Sequence, residues 1–460
     1  MSIAHAPAPR PIDRLISRHD GRAPRYTSYP TALSFTQEVD ETLYRRWLGE
    51  LDPAEPVSLY LHIPFCKRLC WYCGCNTRVV NNPVLISQYA ELLRDEMALL
   101  QAALPARLRV GHLHFGGGTP NMLSRDDLTL IFGAVRQVFN LSPGAEVAAE
   151  LDPASLTREW VRAAAHHGLS RASLGVQDLS PLVQRTVNRI EPFEVLARAA
   201  GWLREVEVLS LNLDLMYGLP HQTTADVHAT LDRVLTLEPE RIALFGYAHV
   251  PWAKTHQQLI PDAALPGPAE RLDQSESAAE RLQAAGYVRI GLDHFARQDD
   301  SLASAHAQGR LKRNFQGYTD DPHDTLLGLG ASSIGRLPQG YVQNEAAEYP
   351  WRKLVSDGRL PVKRGVVLTT DDRFRADIIE RLMCDLAVDL AAVSARHGRS
   401  MADLAPDIIR LADLRDDDLV RLEGDTLTVT PAGRPFLRSA CMAFDARSSA
   451  SASGGHARVV

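Results

Sequence analysis

Cysteine is scarce in this chain, with six residues in 460. That is far below the roughly 8–10% of a disulfide scaffold, so a fold stapled by sulfur bridges is excluded. No run of about 18 apolar residues occurs, and no helical membrane span is expected. Positive charge is not in excess either: 50 Lys and Arg stand against 56 Asp and Glu, a net −6. A broad nucleic-acid-binding face is therefore not expected. The opening MSIAHAPAPRPIDRLISRHDG lacks an apolar secretory core. A cytoplasmic location is expected, where thiols stay reduced. Nothing in the composition demands more than a monomer.

Against that scarcity, four cysteines crowd into HIPFCKRLCWYCGCN: Cys66, Cys70, Cys73 and Cys75. The other two, Cys384 and Cys441, are remote. Reduced thiols this close call for a metal. Structural zinc sites pair C-x2-C knuckles across a longer loop or use Cys/His pairs; no second knuckle follows here, and His62 sits in a strand-like LYLHIPF. Bacterial ferredoxins use C-x2-C-x2-C-x3-C-P, which this order does not match. Three thiolates at C-x3-C-x2-C suit three irons of a [4Fe–4S] cube and leave the fourth open, as a catalytic metal requires. Zinc stays the lesser alternative.

VSLYLHIPF reads as a buried strand ending just before the cysteines. Further strand-like runs end in polar or glycine-rich residues: RVGHLHF before Gly116-Gly117-Gly118-Thr119-Pro120, AEVAAE at Glu150, RASLGV before Gln177, VLSLNLDLMYG with Asp214, and RIALFGYAHV near Ala248. Helical stretches such as NPVLISQYAELLRDEMALLQAAL and REWVRAAAHHG alternate with them. This pattern predicts an α/β fold with a parallel, barrel-like sheet and the site at the strand C-terminal ends. In GGGTP, consecutive glycines let backbone N–H groups approach a carboxylate closely. From about residue 366, Ile378, Ile379, Leu382, Met383 and Leu386 share a helix face, and a short strand pair surrounds Gly424-Asp425. The end, RSSASASGGHARVV, is small and polar, as in disordered tails.

C-x3-C-x2-C after a first strand, with an aromatic before the third cysteine and a glycine-rich second loop, resembles the radical S-adenosylmethionine (SAM) superfamily. The extended C-x3-C-x2-C-x-C resembles its oxygen-independent coproporphyrinogen III dehydrogenase family, as do PRYTSYPTALSF, MYGLPHQT, LDHFAR, KRNFQGYT and LLGLGASSIG. The resemblance covers roughly residues 22 to 445. It implies a partial (β/α)6-type radical SAM barrel over residues 51–365, an arm over 1–50, a helical, winged-helix-like domain over 366–446 and a disordered tail over 447–460. The implied reaction converts two propionates of coproporphyrinogen III into vinyl groups with loss of carbon dioxide. No side-chain base reaches the unactivated β C–H, so a cofactor-derived radical must take that hydrogen. A reductant and an electron acceptor, both unidentified, are implied partners.

Carried over by motif, Cys66, Cys70 and Cys73 are the implied cluster ligands. By the same resemblance, Tyr60, Tyr72, Gly117, Gly118, Thr119, Glu150 and Ile334 would line a first SAM, and Gln177, Arg189, Asp214 and Ala248 a second. Tyr60, Glu150, Cys75, Phe315 and Gln316 are candidate catalytic residues, Cys75 being the extra cysteine and not a ligand. Arg22, Arg25, Lys312 and Arg313 are candidate partners for the propionates. The alternative reading is a haem chaperone of the same superfamily without dehydrogenase activity; Cys75, RNFQGYT and the arm weigh against it.

Overall fold

The VSLYLHI run forms β1, Val57–Ile63, buried at all but one position. In the computed structural model, which describes residues 11–447 and 457–459, it lies inside a twelve-stranded sheet, four strands in from one edge. Five more strands follow: β2 Arg109–Gly117, β3 Asn140–Leu151, β4 Arg171–Gln177, β5 Ser210–Tyr217 and β6 Arg241–Gly246. The six pair in parallel, in sequence order. Helices Pro83–Gln101, Arg125–Val138, Arg158–His166, Phe193–Glu205 and Thr224–Leu235 connect them. Their starts are written locally. Ser124 and Thr223 form capping boxes with Asp127 and Asp226, and the Asn82 and Thr157 side chains cap two more. Each cap satisfies amide donors that an open helix end would leave unpaired. The strand order ends at two open edges, so the barrel is partial.

Beyond β1 the sheet continues through Leu326–Leu329, which is parallel to it, and then the antiparallel Ile334–Leu337, Gly340–Asn344 and Val362–Val367. Beyond β6 it continues through His294–Arg297 and Tyr287–Ile290. The four strands beyond β1 carry glycines because other segments press on them. A Cβ on Gly340 would sit 2.1 Å from the Val366 carbonyl oxygen and 2.8 Å from the Trp47 ring; one on Gly365 would sit 2.2 Å from the Tyr341 oxygen. Backbone atoms cannot swing away as a flexible side-chain tip does. Gly340→Ala is therefore expected to destabilise the fold by about 1–3 kcal/mol, read as a lower denaturation midpoint at unchanged slope.

The arm has two roles. Its helix Glu41–Gly49, capped by Asp40, buries Tyr44, Trp47 and Leu48 in the barrel core. Ala23, Tyr26 and Tyr29 instead enter the core of the C-terminal domain, beside Phe374, Ile378, Leu382 and Phe444, and the Tyr26 hydroxyl donates to Asp445 at 3.0 Å. That domain contains helix Thr370–Asp385 and an antiparallel sheet of 387–389, 426–429 and 420–423. Leu386 departs from the expected helix face: it caps the helix at φ 58°, in the left-handed region. Cys384 is fully buried against the barrel extension. The tail differs from expectation where it is described. Residues 457–459 are ordered against the arm, through Ala23 N to Ala457 O and Val459 N to Gly21 O. Val459 is 8% exposed, and the arm's open backbone gives it an edge to pair with. The rest of the expected disordered tail, 448–456 and 460, lies outside the described residues.

Candidate active site

The cysteine loop leaves β1 at its C-terminal end and is tied off immediately. Phe65–Cys66 pairs in parallel with Arg78–Val79, Arg78 N reaching Pro64 O at 2.7 Å. Cys70 is buried, Cys66 and Cys73 are half-buried, and Cys75 is exposed. Neighbouring loops clamp the backbone between them. Trp71 N donates to Val187 O and the Asn188 amide to Leu69 O. From the loop after β6, Gln257 donates to Tyr72 O at 2.9 Å, His256 meets Cys73 O at 2.8 Å, and Lys254 donates to Cys75 O at 3.0 Å. The Tyr72 ring packs among Val183, Val187, Leu219 and Tyr247.

The sulfurs have donors of their own. Thr119 Oγ1 donates to Cys66 Sγ at 3.4 Å, and Arg189 Nη1 to Cys70 Sγ at 3.6 Å. Burial pushes the Cys66 thiol up to about 11. A hydrogen bond from Cys75 pulls the Cys73 thiol down to about 6 and pushes that of Cys75 well up. Among the described residues no three His, Cys, Asp or Glu side chains converge on a single ion; thiolates that each take a separate iron need no such convergence. Three thiols on one clamped loop, with N–H and O–H groups aimed at sulfur, fit an anionic iron–sulfur cluster.

Glycines govern the adjacent β2 loop. Gly118 N donates to Ile63 O at 2.8 Å, and Gly117 stands at φ +108° with a hypothetical Cβ 2.4 Å from the His62 ring. Gly117 N donates to Glu150 Oε2 at 3.1 Å, and His114 Nε2 meets Glu150 Oε1 at 3.1 Å. Burial works against the Glu150 charge, but the His114 contact and the Gly117 N–H hold its carboxyl below the usual range. Tyr60 stacks on His114 with ring centroids 5.8 Å apart, and its hydroxyl meets His62 Nδ1 at 3.1 Å. Burial, then the Glu150 charge, raises the Tyr60 phenol well above its ordinary value.

Glu150, Asp214 and Gln316 line one cavity of about 290 Å3 inside the barrel, with His114 and Ser173. Burial pushes Asp214 up to about 6 against hydrogen bonds from Ser173 and Asn212, both 2.7 Å. Phe315 faces the other way, towards Ile334 and Tyr341, because neighbouring residues of the hairpin turn point to opposite sides. The residues expected around a second SAM do not share one space. Gln177, at φ 69°, borders Gly175 together with Arg189, whose Nη1 reaches Cys70 Sγ. Asp214 faces the barrel cavity, and Ala248 lines a separate pocket beyond β6. Arg189 is already engaged by Asp152 and Glu191, both at 3.1 Å, so a ligand carboxylate would have to displace one of them.

The sequence reading passed over His114 and the Lys254–Gln257 clamp. A signal for the first was present: His112 and His114 alternate in GHLHF, which puts both on one strand face immediately before the glycines. No local pattern marks the clamp, whose residues act through side chains from a distant loop.

Comparison with known proteins agrees with this geometry. The Radical SAM superfamily model matches residues 60–234, and the HemN C-terminal domain model matches residues 368–436. The oxygen-independent coproporphyrinogen III oxidase of Bradyrhizobium diazoefficiens is 48% identical over 434 residues, 94% of this chain and 96% of the relative. That of Paracoccus denitrificans is 43% identical over 93% of this chain and 94% of its own length. Among solved structures, the radical SAM enzyme coproporphyrinogen III oxidase (HemN) from Escherichia coli superposes with a TM-score of 0.88 at 38% identity, covering 92% of this chain and 97% of that one. The chain belongs to the oxygen-independent coproporphyrinogen III oxidase family of the radical SAM superfamily.

Proposed function

We propose that this chain oxidises coproporphyrinogen III without oxygen, turning two propionate side chains into vinyl groups with release of carbon dioxide. The observation that carries this reading is the near full-length identity to the Bradyrhizobium oxidase, which extends through arm, barrel and C-terminal domain alike. When bound, the [4Fe–4S] cluster and SAM supply the one-electron chemistry that breaks an unactivated C–H bond.

The residues supply the rest. Cys66, Cys70 and Cys73 would hold the cluster, while Thr119 and Arg189 direct donors at the thiol sulfurs of Cys66 and Cys70. Glu150, kept charged by His114 and Gly117 N–H, offers an anion to the ammonium of SAM. Tyr60, stacked on His114, fixes the orientation of that pair. Gly117 and Gly118 let the backbone come close, and Ile334 and Tyr72 provide apolar contact. Gln316 and Asp214 face the same barrel cavity as Glu150. Family resemblance also suggests a second SAM through Gln177, Arg189, Asp214 and Ala248; of these, Gln177 and Arg189 both border Gly175, while Asp214 and Ala248 line separate spaces. Cys75 and Phe315 belong to the site through Cys73 and Ile334 respectively. A reductant and an electron acceptor, both unidentified, and a monomer acting in the cytoplasm complete the proposal; six free cysteines suit a reducing compartment. No helix among the described residues is long and apolar enough to cross a membrane.

An anaerobic assay with coproporphyrinogen III, SAM and reductant tests the reading. Protoporphyrinogen and carbon dioxide are expected, and their absence from a cluster-loaded protein sinks it. Glu150→Gln is expected to retain the cluster and weaken SAM binding by roughly tenfold or more, since a charge-assisted contact is worth about 1.5–3 kcal/mol. Equilibrium binding of SAM to the reconstituted protein checks this.

A further inference from the structure

Between the ends of β5 and β6, the arm and the C-terminal domain lies a cavity of about 400 Å3 whose lining holds six arginines and two carboxylates. Three of the arginines are committed. Arg289 grips Glu276 through both Nη atoms at 2.9 Å. Arg458 reaches Asp20 at 3.0 Å, and Arg438 donates to the carbonyls of Ala23 and Val459. Arg25, Arg271 and Arg313 remain, with Asp293 the one lining carboxylate not gripped by an arginine, its Oδ1 taken at 2.7 Å by His294.

Arg313 is the most telling. It is 9% exposed, yet Nε and Nη1 have no hydrogen-bond partner, and its guanidinium rests over the Tyr318 ring at 4.3 Å. Arg271 lies 5.7 Å from the Tyr217 ring centroid and makes no ion pair among the described residues. Arg25 is exposed to solvent at the pocket and donates to Gly246 O at 3.2 Å. Burial and the charge of Arg25 push Arg438 down to about 10. A buried guanidinium with unmade hydrogen bonds, as Arg313 is, is costly unless an anion arrives to pair with it.

We propose that this pocket is a carboxylate-binding subsite that anchors a propionate which the reaction leaves intact. The proposal rests on the function argued above and adds the place where the substrate is gripped. Phe245 lines both this pocket and the barrel cavity that holds Glu150 and Asp214, so the two spaces share a wall. The choice of a retained propionate follows from charge. Guanidinium groups favour a carboxylate over neutral carbon dioxide, so gripping the departing carboxylate would hold back its loss. Of the four basic residues singled out in the sequence, two line the pocket. Arg22 instead lies over Trp252 at 4.5 Å, and Lys312 pairs with Asp324 at 2.8 Å.

The test is a fluorescence titration of the full chain with coproporphyrin III, which carries the same four propionates, and with its tetramethyl ester. Arg271→Gln and Arg25→Gln are each expected to weaken binding of the acid about tenfold, the scale of one charge-assisted contact. Binding of the ester should hardly change, and Arg271→Lys should recover most of the affinity. In turnover, KM for coproporphyrinogen should rise while kcat holds. Unaltered binding of the acid by both glutamine variants overturns the subsite, as does equal weakening of acid and ester. Competition by SAM would hand the guanidinium groups to the SAM carboxylate and also overturn it. If the wild-type chain binds neither macrocycle and makes no protoporphyrinogen, the substrate reading itself falls; wild-type turnover with unaffected variants removes only the subsite.

Discussion

Serine at Cys66, Cys70 or Cys73 is expected to abolish the four-iron cluster, whereas serine at Cys75 should leave iron and sulfide content nearly intact. The motif supplies three thiolates, and a hydroxyl is a poor replacement for the soft sulfur that iron in such clusters requires. The three positions are not equivalent in their surroundings. Cys70 is buried beneath Arg189, Cys66 lies under Thr119, and Cys73 is held through its backbone carbonyl by His256. Because Gln257, His256 and Lys254 grip main-chain oxygens of the loop, losing one sulfur should not unravel it. Far-UV circular dichroism should therefore match the parent while iron falls to background. Cys75 is exposed and its thiol donates to Cys73; a serine hydroxyl preserves that donor. Iron and acid-labile sulfide analysis of anaerobically reconstituted protein decides the matter. Cluster loss in Cys75→Ser alone would overturn the ligand assignment.

The second large effect is expected at the glycine loop, with different outcomes at adjacent positions. A Cβ on Gly118 would stand 2.8 Å from Phe65 O, 2.9 Å from Ile63 O and 3.0 Å from Phe65 N. All three are backbone atoms of the segment that delivers Cys66, so that segment must move. Gly118→Ala should lose both SAM affinity and most of the cluster. Gly117→Val meets a side chain instead: the His62 ring, which is hydrogen-bonded to Tyr60 and to Asn76 O. Valine at φ +108° adds backbone strain of roughly 1–2 kcal/mol, and the overlap with His62 adds about 1–3 kcal/mol. Gly117→Val should retain iron but bind SAM at least tenfold more weakly, because Gly117 N no longer orients Glu150. Iron content and SAM affinity measured on both variants check the contrast. Unchanged SAM affinity in Gly117→Val would reduce the loop to a plain turn.

These two cases show where the sequence was informative. Close approach of a ligand was the reason to expect glycine in GGGTP. The folded chain adds a different one: Gly117 and Gly118 are also forced by His62 and by the β1 backbone, contacts that GGGTP does not encode. The six parallel strands were legible because each is a short apolar run closed by polar or glycine residues, and that pattern is local. The outer strands around Gly328, Gly335, Gly340 and Gly365 were not. Their glycines, needed to admit neighbouring backbone and the arm's Trp47 and Val39, removed the branched side chains that mark a strand.

Spacing within one loop determined the metal chemistry, since C-x3-C-x2-C binds its thiols to a common site whatever the rest of the chain does. The same holds for the helix caps at Ser124 and Thr223, which are built within four residues. Tertiary structure alone decided which charges meet. Glu150 acquires His114 from the neighbouring strand, the cysteine loop acquires its clamp from residues 254–257, and the arginine pocket draws Arg25, Arg271, Arg313 and Arg438 from four separate segments. No periodicity within any one segment records these pairings. They arise only when the fold brings side chains together across separations from 36 residues, for His114 and Glu150, to 185, for Tyr72 and Gln257. The surplus of positive charge around the arginine pocket then becomes a binding property.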